Sequence, residues 1–406
     1  MRILLSTYGS RGDVQPLAAL AVALQAIGAE AVVCAPPDAE FASLLVRAGF
    51  NLVPAFSSVR DWVSKAIADP STVDLPKRAA EICAAQYEAI DAAAEGCDVI
   101  LAAGLFPSTA AARAVAEKRG MRYVYATFCP LWLPSTHHQP HSYRGYPLAE
   151  DAPDNRALWV DNSVTMQTIF GVGINAHRVS IGLEPVENVR DHVFTSHPWL
   201  ASDPVLSPWA PTELCNVTQT GAWLLPDDRP LPDDVEAFLD AGPPPVYVGF
   251  GSMPMSGAKH AARDAIDAIR TQGRRALLLQ GWADLAAIDE RDDCFVIGEV
   301  NQQALFRRVA AVVHHGGAGT TTAAARAGAP QLIVPQIGDQ PYWARRVAEL
   351  GIGVAHDGPI PTAESLSASL ATVLAPETRE RATAIGATIH SGGAMIAAAM
   401  LVAGIH

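Results

Sequence analysis

At 406 residues the chain is too long for one hydrophobic core and fits two domains of roughly 200 residues each. Half of its residues are apolar and 17% are charged, which excludes a disordered or low-complexity protein. A net charge of −13 argues against a nucleic-acid partner, because that binding rests on Lys and Arg neutralising phosphates; backbone N–H groups can still hold a small phosphate.

The cysteines Cys34, Cys83, Cys97, Cys129, Cys215 and Cys294 lie far apart without a CxxC pair and read as reduced core residues. Met1 to Tyr8 is too short for a signal-peptide core, and no stretch approaches the roughly 20 apolar residues of a membrane helix. A cytoplasmic chain with no membrane partner is the expectation. The apolar tail from Ala394 to Ile405 is expected as a helix docking on the body.

Arg2 to Thr7 is a continuous apolar run, the pattern of a parallel strand covered on both faces. The Gly-rich stretch Gly9 to Asp13 follows, and Val14 to Ile27 spaces its apolar residues like a helix. Ala31 to Cys34, Val99 to Ala102 and Tyr123 to Ala126 continue a strand and helix alternation. Leu131 to Asn162 breaks it, being rich in Pro, His, Tyr and Trp, as functional loops often are. A Pro-rich stretch from Asp203 to Pro245 reads as a linker and the opening of a second domain. Strands then resume at Val246 to Phe250, Ala276 to Leu279, Phe295 to Ile297, Ala311 to His314 and Gln331 to Val334. The predicted fold is α/β, with two doubly wound parallel sheets sharing a cleft beyond the carboxyl ends of their strands. The expected boundaries are 1–205 for an acceptor-binding domain, 206–240 for the linker and entry to domain two, 241–385 for a nucleotide-sugar domain, and 386–406 for a C-terminal helix packing back on the N-terminal domain.

The strongest local signal is the strand Ala311 to His314 running through His315, Gly316, Gly317, Ala318, Gly319 and Thr320 into a helix. Such a turn lets backbone approach a ligand, and the helix start offers unpaired N–H groups suited to a diphosphate. His315 can donate to a phosphate oxygen and Thr320 can add a hydroxyl. The plain alternative is a tight turn whose two histidines are satisfied by backbone. The turn is neither a GxxxxGK[ST] loop nor a GxGxxG fingerprint, against an ATPase or a dehydrogenase. Ser252, after Val246 to Phe250, can also meet phosphate.

Asp13 can serve as a general base for an attacking hydroxyl, or as the N-cap of the helix from Val14. Asp339 and Gln340 suit sugar hydroxyls, Asp accepting and Gln both donating and accepting, or they form a capped turn. His137, His138 and His141 lack the ligand pattern of a metal site, and the chain contains no Asp-x-Asp for a divalent ion. No metal and no cofactor are expected.

With these residues in place, the chain resembles the family 1 glycosyltransferases of GT-B fold and, within them, the vancomycin-group glycopeptide glycosyltransferases. The resemblance is carried by RILLSTYGSRGD at 2–13, CAPPD at 34–38, HPWLASDPVLSP at 197–208, QTGAW at 219–223, AGPPPVYVGFGS at 241–252, HHGGAGTTTAAARAGAPQ at 314–331 and DQPYWARRVAELGIGVAHDGPIPT at 339–362. It implies an inverting transfer of a hexose from a UDP- or dTDP-sugar to a natural-product hydroxyl. Asp13 would then be the base, with Ser10 and Arg11 beside it. His315, Gly317, Ala318, Gly319, Thr320, Ser252 and Arg11 would hold the diphosphate, and Asp339 with Gln340 the donor sugar. Many relatives open the base-binding stretch with Trp where this chain has Val300, shifting weight to Gln303 and Trp282. The segment Ser135 to Thr168 departs most from the glycopeptide enzymes. Its aromatic faces, with Trp132, His137, Tyr143 and Tyr146 as candidate contacts, suit a glycopeptide, phenolic, polyketide or steroid acceptor. A monomer is expected. Two rival readings are a sugar-nucleotide epimerase of the same architecture and a non-catalytic auxiliary binding protein.

Overall fold

The computed structural model describes residues 1–68, 74–251, 258–281 and 285–405. The chain divides into two compact units. One comprises Met1–Pro204, Pro208–Leu225 and Ser391–His406, the other Val205–Ser207 and Pro226–His390.

In the first unit β1 (Arg2–Tyr8), β2 (Glu30–Ala35), β3 (Leu52–Pro54), β4 (Val99–Gly104), β5 (Arg122–Thr127), β6 (Trp199–Leu200) and β7 (Thr218–Gln219) pair in parallel, in the order β3-β2-β1-β4-β5-β6-β7. Its helices are α1 (Arg11–Ala26), α2 (Ala39–Arg47), α3 (Val59–Ala68), α4 (Leu75–Ala93), α5 (Phe106–Arg119), α6 (Asn155–Met166), α7 (Val172–Ser180) and α8 (Val189–Phe194), with a π-helical segment, Gln167–Gly171, between α6 and α7. β1 is buried from Ile3 to Tyr8 because β2 and β4 flank it and helices cover both faces, so its sequence is unbroken rather than alternating.

In the second unit β8 (Val246–Gly249), β9 (Ala276–Leu279), β10 (Cys294–Ile297), β11 (Ala311–His314), β12 (Gln331–Ile333) and β13 (Gly353–Ala355) pair in parallel in the order β10-β9-β8-β11-β12-β13. Around them lie α9 (Asp233–Asp240), α10 (Ala258–Thr271), α11 (Gln302–Leu305), α12 (Ala318–Arg326), α13 (Gln340–Glu349), α14 (Ala363–Val373) and α15 (Pro376–Gly386). Along β8, Val246 and Val248 enter one core with Ile266 and Leu370, while Tyr247 enters the opposite core with Phe306 and Ala324. The last helix, α16 (Gly393–Ala403), returns to the first unit and packs on α1. There Arg122 Nη1 donates to the Leu401 carbonyl at 2.8 Å.

Both sheets reverse their direction of growth once, at β1/β4 and at β8/β11, and ligands of open parallel sheets bind outside the carboxyl ends at such switch points. At the first, Gly104 has φ +92° and a Cβ there would lie 2.7 Å from Thr7 Oγ1 and 2.8 Å from the Tyr8 carbonyl oxygen, so only glycine fits.

Three expectations shift. The first helix opens at Arg11 rather than Val14, because Ser10 is its N-cap. The irregular segment ends at Asp154, whose Oδ1 accepts from the Ala157 N–H at 2.9 Å and starts α6. The stretch 206–240 carries β7, which belongs to the first sheet, and α9, which belongs to the second unit. Among the described residues no helix is long and apolar enough to cross a membrane.

Candidate active site

At the second switch point the two histidines at the end of β11 part company. His314 is fully buried. Its Nδ1 accepts from the Gly316 N–H at 3.1 Å, which fixes the proton on Nε2 for donation to Gln331 Oε1 at 2.9 Å. Burial, aided by His315, lowers its pKa to about 3. The backbone-satisfied alternative therefore describes His314, which is structural. It fails for His315, whose Nδ1 is buried without a hydrogen-bond partner. Burial lowers the His315 pKa to about 4, so the ring is neutral at pH 7 and offers a hydrogen bond rather than a charge.

The glycines make room for that ring and for the backbone. A Cβ on Gly317 would sit 2.6 Å from His315 Nε2, and one on Gly251, beyond β8, 3.2 Å from His315 Cε1. Gly316, at φ +91°, would strike Ile333 Cγ2 at 2.6 Å and approach the Gln340 carbonyl oxygen at 3.2 Å. Gly317 is the N-cap of α12 and brings no side-chain cap, so the N–H groups of Ala318, Gly319 and Thr320 start the helix without intrahelical acceptors. The hydroxyls of Thr321 and Thr322 turn back to the carbonyls of Gly317 and Ala318, at 2.9 and 2.8 Å, whereas that of Thr320 does not. Open N–H groups, a positive helix end and a partnerless imidazole nitrogen together fit an anion.

The loop before α13 packs against this turn through Gln340. Its Oε1 accepts from the N–H groups of Gln336 (2.7 Å) and Ile337 (3.1 Å), so this side chain has only its amide N–H left for a ligand; the expected accepting role is committed to the loop itself. Asp339 occupies the N-cap position of α13 without making the cap bond. Its Oδ2 instead accepts from Trp343 Nε1 at 2.9 Å, which fixes the carboxylate, and burial raises its pKa.

Val300 packs partly buried beside the core that holds Leu305 and Phe306. Its neighbour Asn301 donates from Nδ2 to the carbonyls of Asp227 (2.7 Å) and Arg229 (2.8 Å) and caps α11, which carries Gln303. Ser252 and Trp282 lie outside the described residues.

In the first unit the Gly9–Asp13 turn follows β1. Ser10 Oγ accepts from the Gly12 N–H at 3.2 Å, and the Ser10 N–H donates to Asp13 Oδ2 at 2.7 Å, a reciprocal capping box. Asp13 is therefore the third helical residue and not the N-cap. Gly9 is required beside it, since a Cβ there would lie 2.1 Å from Asp13 Oδ2. Arg11 opens α1 with its Nε donating to Gln15 Oε1 at 3.0 Å.

The aromatic segment forms a chain of ring contacts. Phe106, just past β4, meets Phe170 of the π-helical segment at 5.1 Å between centroids; Phe170 meets Tyr143 at 5.9 Å, Tyr143 meets His141 at 5.5 Å and His141 meets Trp132 at 5.0 Å. Of the four expected acceptor residues, Trp132 and Tyr143 are thus linked through His141, Tyr146 joins through a backbone bridge to Tyr143, and both tyrosines pack partly buried against the core of the unit. His137 stands apart, its Nε2 3.0 Å from the Pro211 carbonyl oxygen. His141, the link between Trp132 and Tyr143, carried only a metal question in the sequence. Among the described residues no group of three or more His, Cys, Asp or Glu could hold a metal ion.

Known proteins match this architecture from end to end. The family described as erythromycin biosynthesis protein CIII-like, C-terminal domain, matches residues 284–391. The chain is 54% identical to glycosyltransferase GtfE of Amycolatopsis orientalis, over 100% of its own length and 98% of that protein. It is 52% identical to the vancomycin aglycone glucosyltransferase of the same organism, over 99% of this chain and 97% of the relative. The solved structure of glycosyltransferase VinC in complex with dTDP matches with a TM-score of 0.68, covering 99% of both chains at 21% identity. Fold and relatives define a glycosyltransferase of GT-B architecture, which sets aside the epimerase and auxiliary-protein readings. The chain belongs to the vancomycin-group glycopeptide glycosyltransferases.

Proposed function

We propose that the enzyme moves a hexose from a UDP- or dTDP-sugar to a hydroxyl of a glycopeptide aglycone, with inversion at the anomeric carbon. The observation that carries the donor half is the partnerless Nδ1 of His315 beside the uncapped start of α12. The leaving diphosphate is taken by those N–H groups, by a hydrogen bond from neutral His315 and by the Thr320 hydroxyl. Asp339 and the Gln340 amide hold the hexose. The Asp13 carboxylate accepts the acceptor proton as the new C–O bond forms and the bond from the anomeric carbon to phosphate breaks. Trp132, Tyr143 and Tyr146 supply flat apolar surface for the aglycone. The acceptor assignment is supported by the 52% identical relative named for the vancomycin aglycone.

The test is transfer from an α-linked UDP- or dTDP-hexose to vancomycin aglycone, with the product's anomeric coupling read by NMR. A β-linkage is expected, and an α-linkage rules out the single displacement. The enzyme is taken to work as a monomer, and without a metal because the diphosphate is met by the positive helix start and by hydrogen bonds. EDTA should leave the rate unchanged, and sedimentation should give one chain per particle.

A further inference from the structure

We propose that Arg78 is a specificity-determining residue that receives a carboxylate of the acceptor; this rests on the acceptor reading of the first unit. Arg78 lies in the first turn of α4, and its guanidinium carbon stands 4.7 Å from the Phe56 ring centroid and 5.7 Å from that of Trp62. Its polar contacts are long: Nη2 reaches Ser57 Oγ at 3.3 Å and Nη1 reaches Glu81 Oε2 at 3.5 Å, while the guanidinium also bears on the Tyr8 hydroxyl and Nε is buried without a partner. Arg178 in the same unit shows the ordinary case, bonded at 2.8 Å to both Glu117 Oε2 and the Glu184 carbonyl.

The surroundings hold this cation in place. Asp38, 7% exposed, accepts from Ser58 Oγ (2.7 Å) and from the N–H groups of Val59 (3.0 Å) and Arg60 (3.1 Å), so its charge is committed to the loop. Tyr8 donates from its hydroxyl to the Ser57 carbonyl at 3.0 Å, and its ring lies 5.9 Å from that of Phe56. Phe56 itself is held at φ +61°, a left-handed conformation an aromatic residue adopts only under constraint. Tyr8 ends β1 immediately before the turn that carries Asp13, and Phe56 and Ser57 lie just beyond β3. The cluster therefore sits on the carboxyl side of the sheet, where ligands of this fold bind. In a chain of net charge −13 an anionic acceptor needs a local cation. Arg78, its side chain 19% exposed, is held by long contacts that an incoming carboxylate can replace, while the stacked rings offer a face to an aromatic neighbour of that group.

The experiment compares full-length wild type, Arg78→Lys and Arg78→Gln on vancomycin aglycone with its free carboxyl group and on the same aglycone as its carboxamide. Wild type should favour the acid by about tenfold or more in kcat/KM, the size of a charge-assisted hydrogen bond. Arg78→Gln should bring the acid-to-amide ratio to about one through the acceptor KM, and Arg78→Lys should keep part of the preference. The proposal is overturned if wild type shows no preference, if Arg78→Gln slows both acceptors alike as a loop strut would, or if the donor KM moves instead, which would assign the cation to the diphosphate. Should Arg78→Gln not fold, the ratios of wild type and Arg78→Lys decide. Equal transfer to acid and amide removes the role of Arg78 alone, whereas transfer to neither removes the aglycone reading with it.

Discussion

The turns after β1 and after β11 begin alike, each a buried strand at a switch point running through glycines into a helix. They finish differently. The first closes on itself, because Ser10 and Asp13 supply the acceptors that the start of α1 needs. The second leaves the start of α12 uncapped, with a neutral imidazole beside it whose Nδ1 has no partner. A helix start filled by its own side chains has little left for an anion, and one left open recruits it. The same motif thus presents a fixed carboxylate in one unit and an open helix start in the other.

The largest effect that would break this contrast comes from Asp13→Asn. Asn keeps an oxygen for the Ser10 N–H, so the fold should tolerate it, but it accepts no proton. The rate on an alcohol acceptor should fall by about a thousandfold. An unchanged rate would leave Asp13 as a capping residue only. His315→Ala should cost about a hundredfold in kcat, through lost stabilisation of the leaving diphosphate. Its melting temperature should fall only by the lost packing of the ring, since no hydrogen bond to Nδ1 is lost. His314→Ala should do the opposite, destabilising by about 1–3 kcal/mol through the unpaired Gln331. If the two variants behave alike, the division between a structural and a ligand-facing histidine is wrong.

Much of this contrast was legible in the sequence, though not its decisive part. The strands stand out because residues such as Ile3 to Leu5 and Val312 to Val313 are covered on both faces, and the glycines mark the turns. The spacing of Ser10 and Asp13 is itself a capping-box signature, so the start of α1 three residues earlier than expected was readable. The difference between His314 and His315 was not, because it depends on Gln331, which joins from another strand. β7 is two residues long and shows no periodicity, which hid the return of the chain to the first sheet. Arg78 gave no local signal, since its environment is assembled from the last residue of β1 and from residues following β2 and β3.

The pH dependence of stability sharpens the same division. His314 and His315 have folded pKa values of about 3 and about 4, both below the ordinary 6.5. The unfolded chain therefore binds more protons between those limits, so the stabilisation is complete above about pH 6.5 and is lost as the pH falls through about 4. Glu117 acts with the same sign at lower pH. Burial alone would raise its pKa, but His192 and Arg178 outweigh that and hold it at about 2. Urea unfolding of the second unit's variants between pH 7 and pH 4 should show a shallower slope for His314→Ala than for wild type, and an unchanged slope would contradict its buried neutral state.

The smallest effect tests the closed turn alone. Ser10→Ala removes the oxygen that accepts from the Gly12 N–H, a bond within α1 that needs no ligand. It should cost about 1 kcal/mol in denaturant unfolding, the ordinary value of an N-cap. If the nucleotide fills the open turn of the other unit as proposed, added dTDP should stabilise this variant and wild type alike, by about 2.7 kcal/mol at a hundredfold excess over Kd. In His315→Ala the same nucleotide should stabilise less. If Ser10→Ala instead abolished stabilisation by dTDP, the anion would be held at the capped turn, and the assignment of carboxylate and anion site to the two units would be reversed.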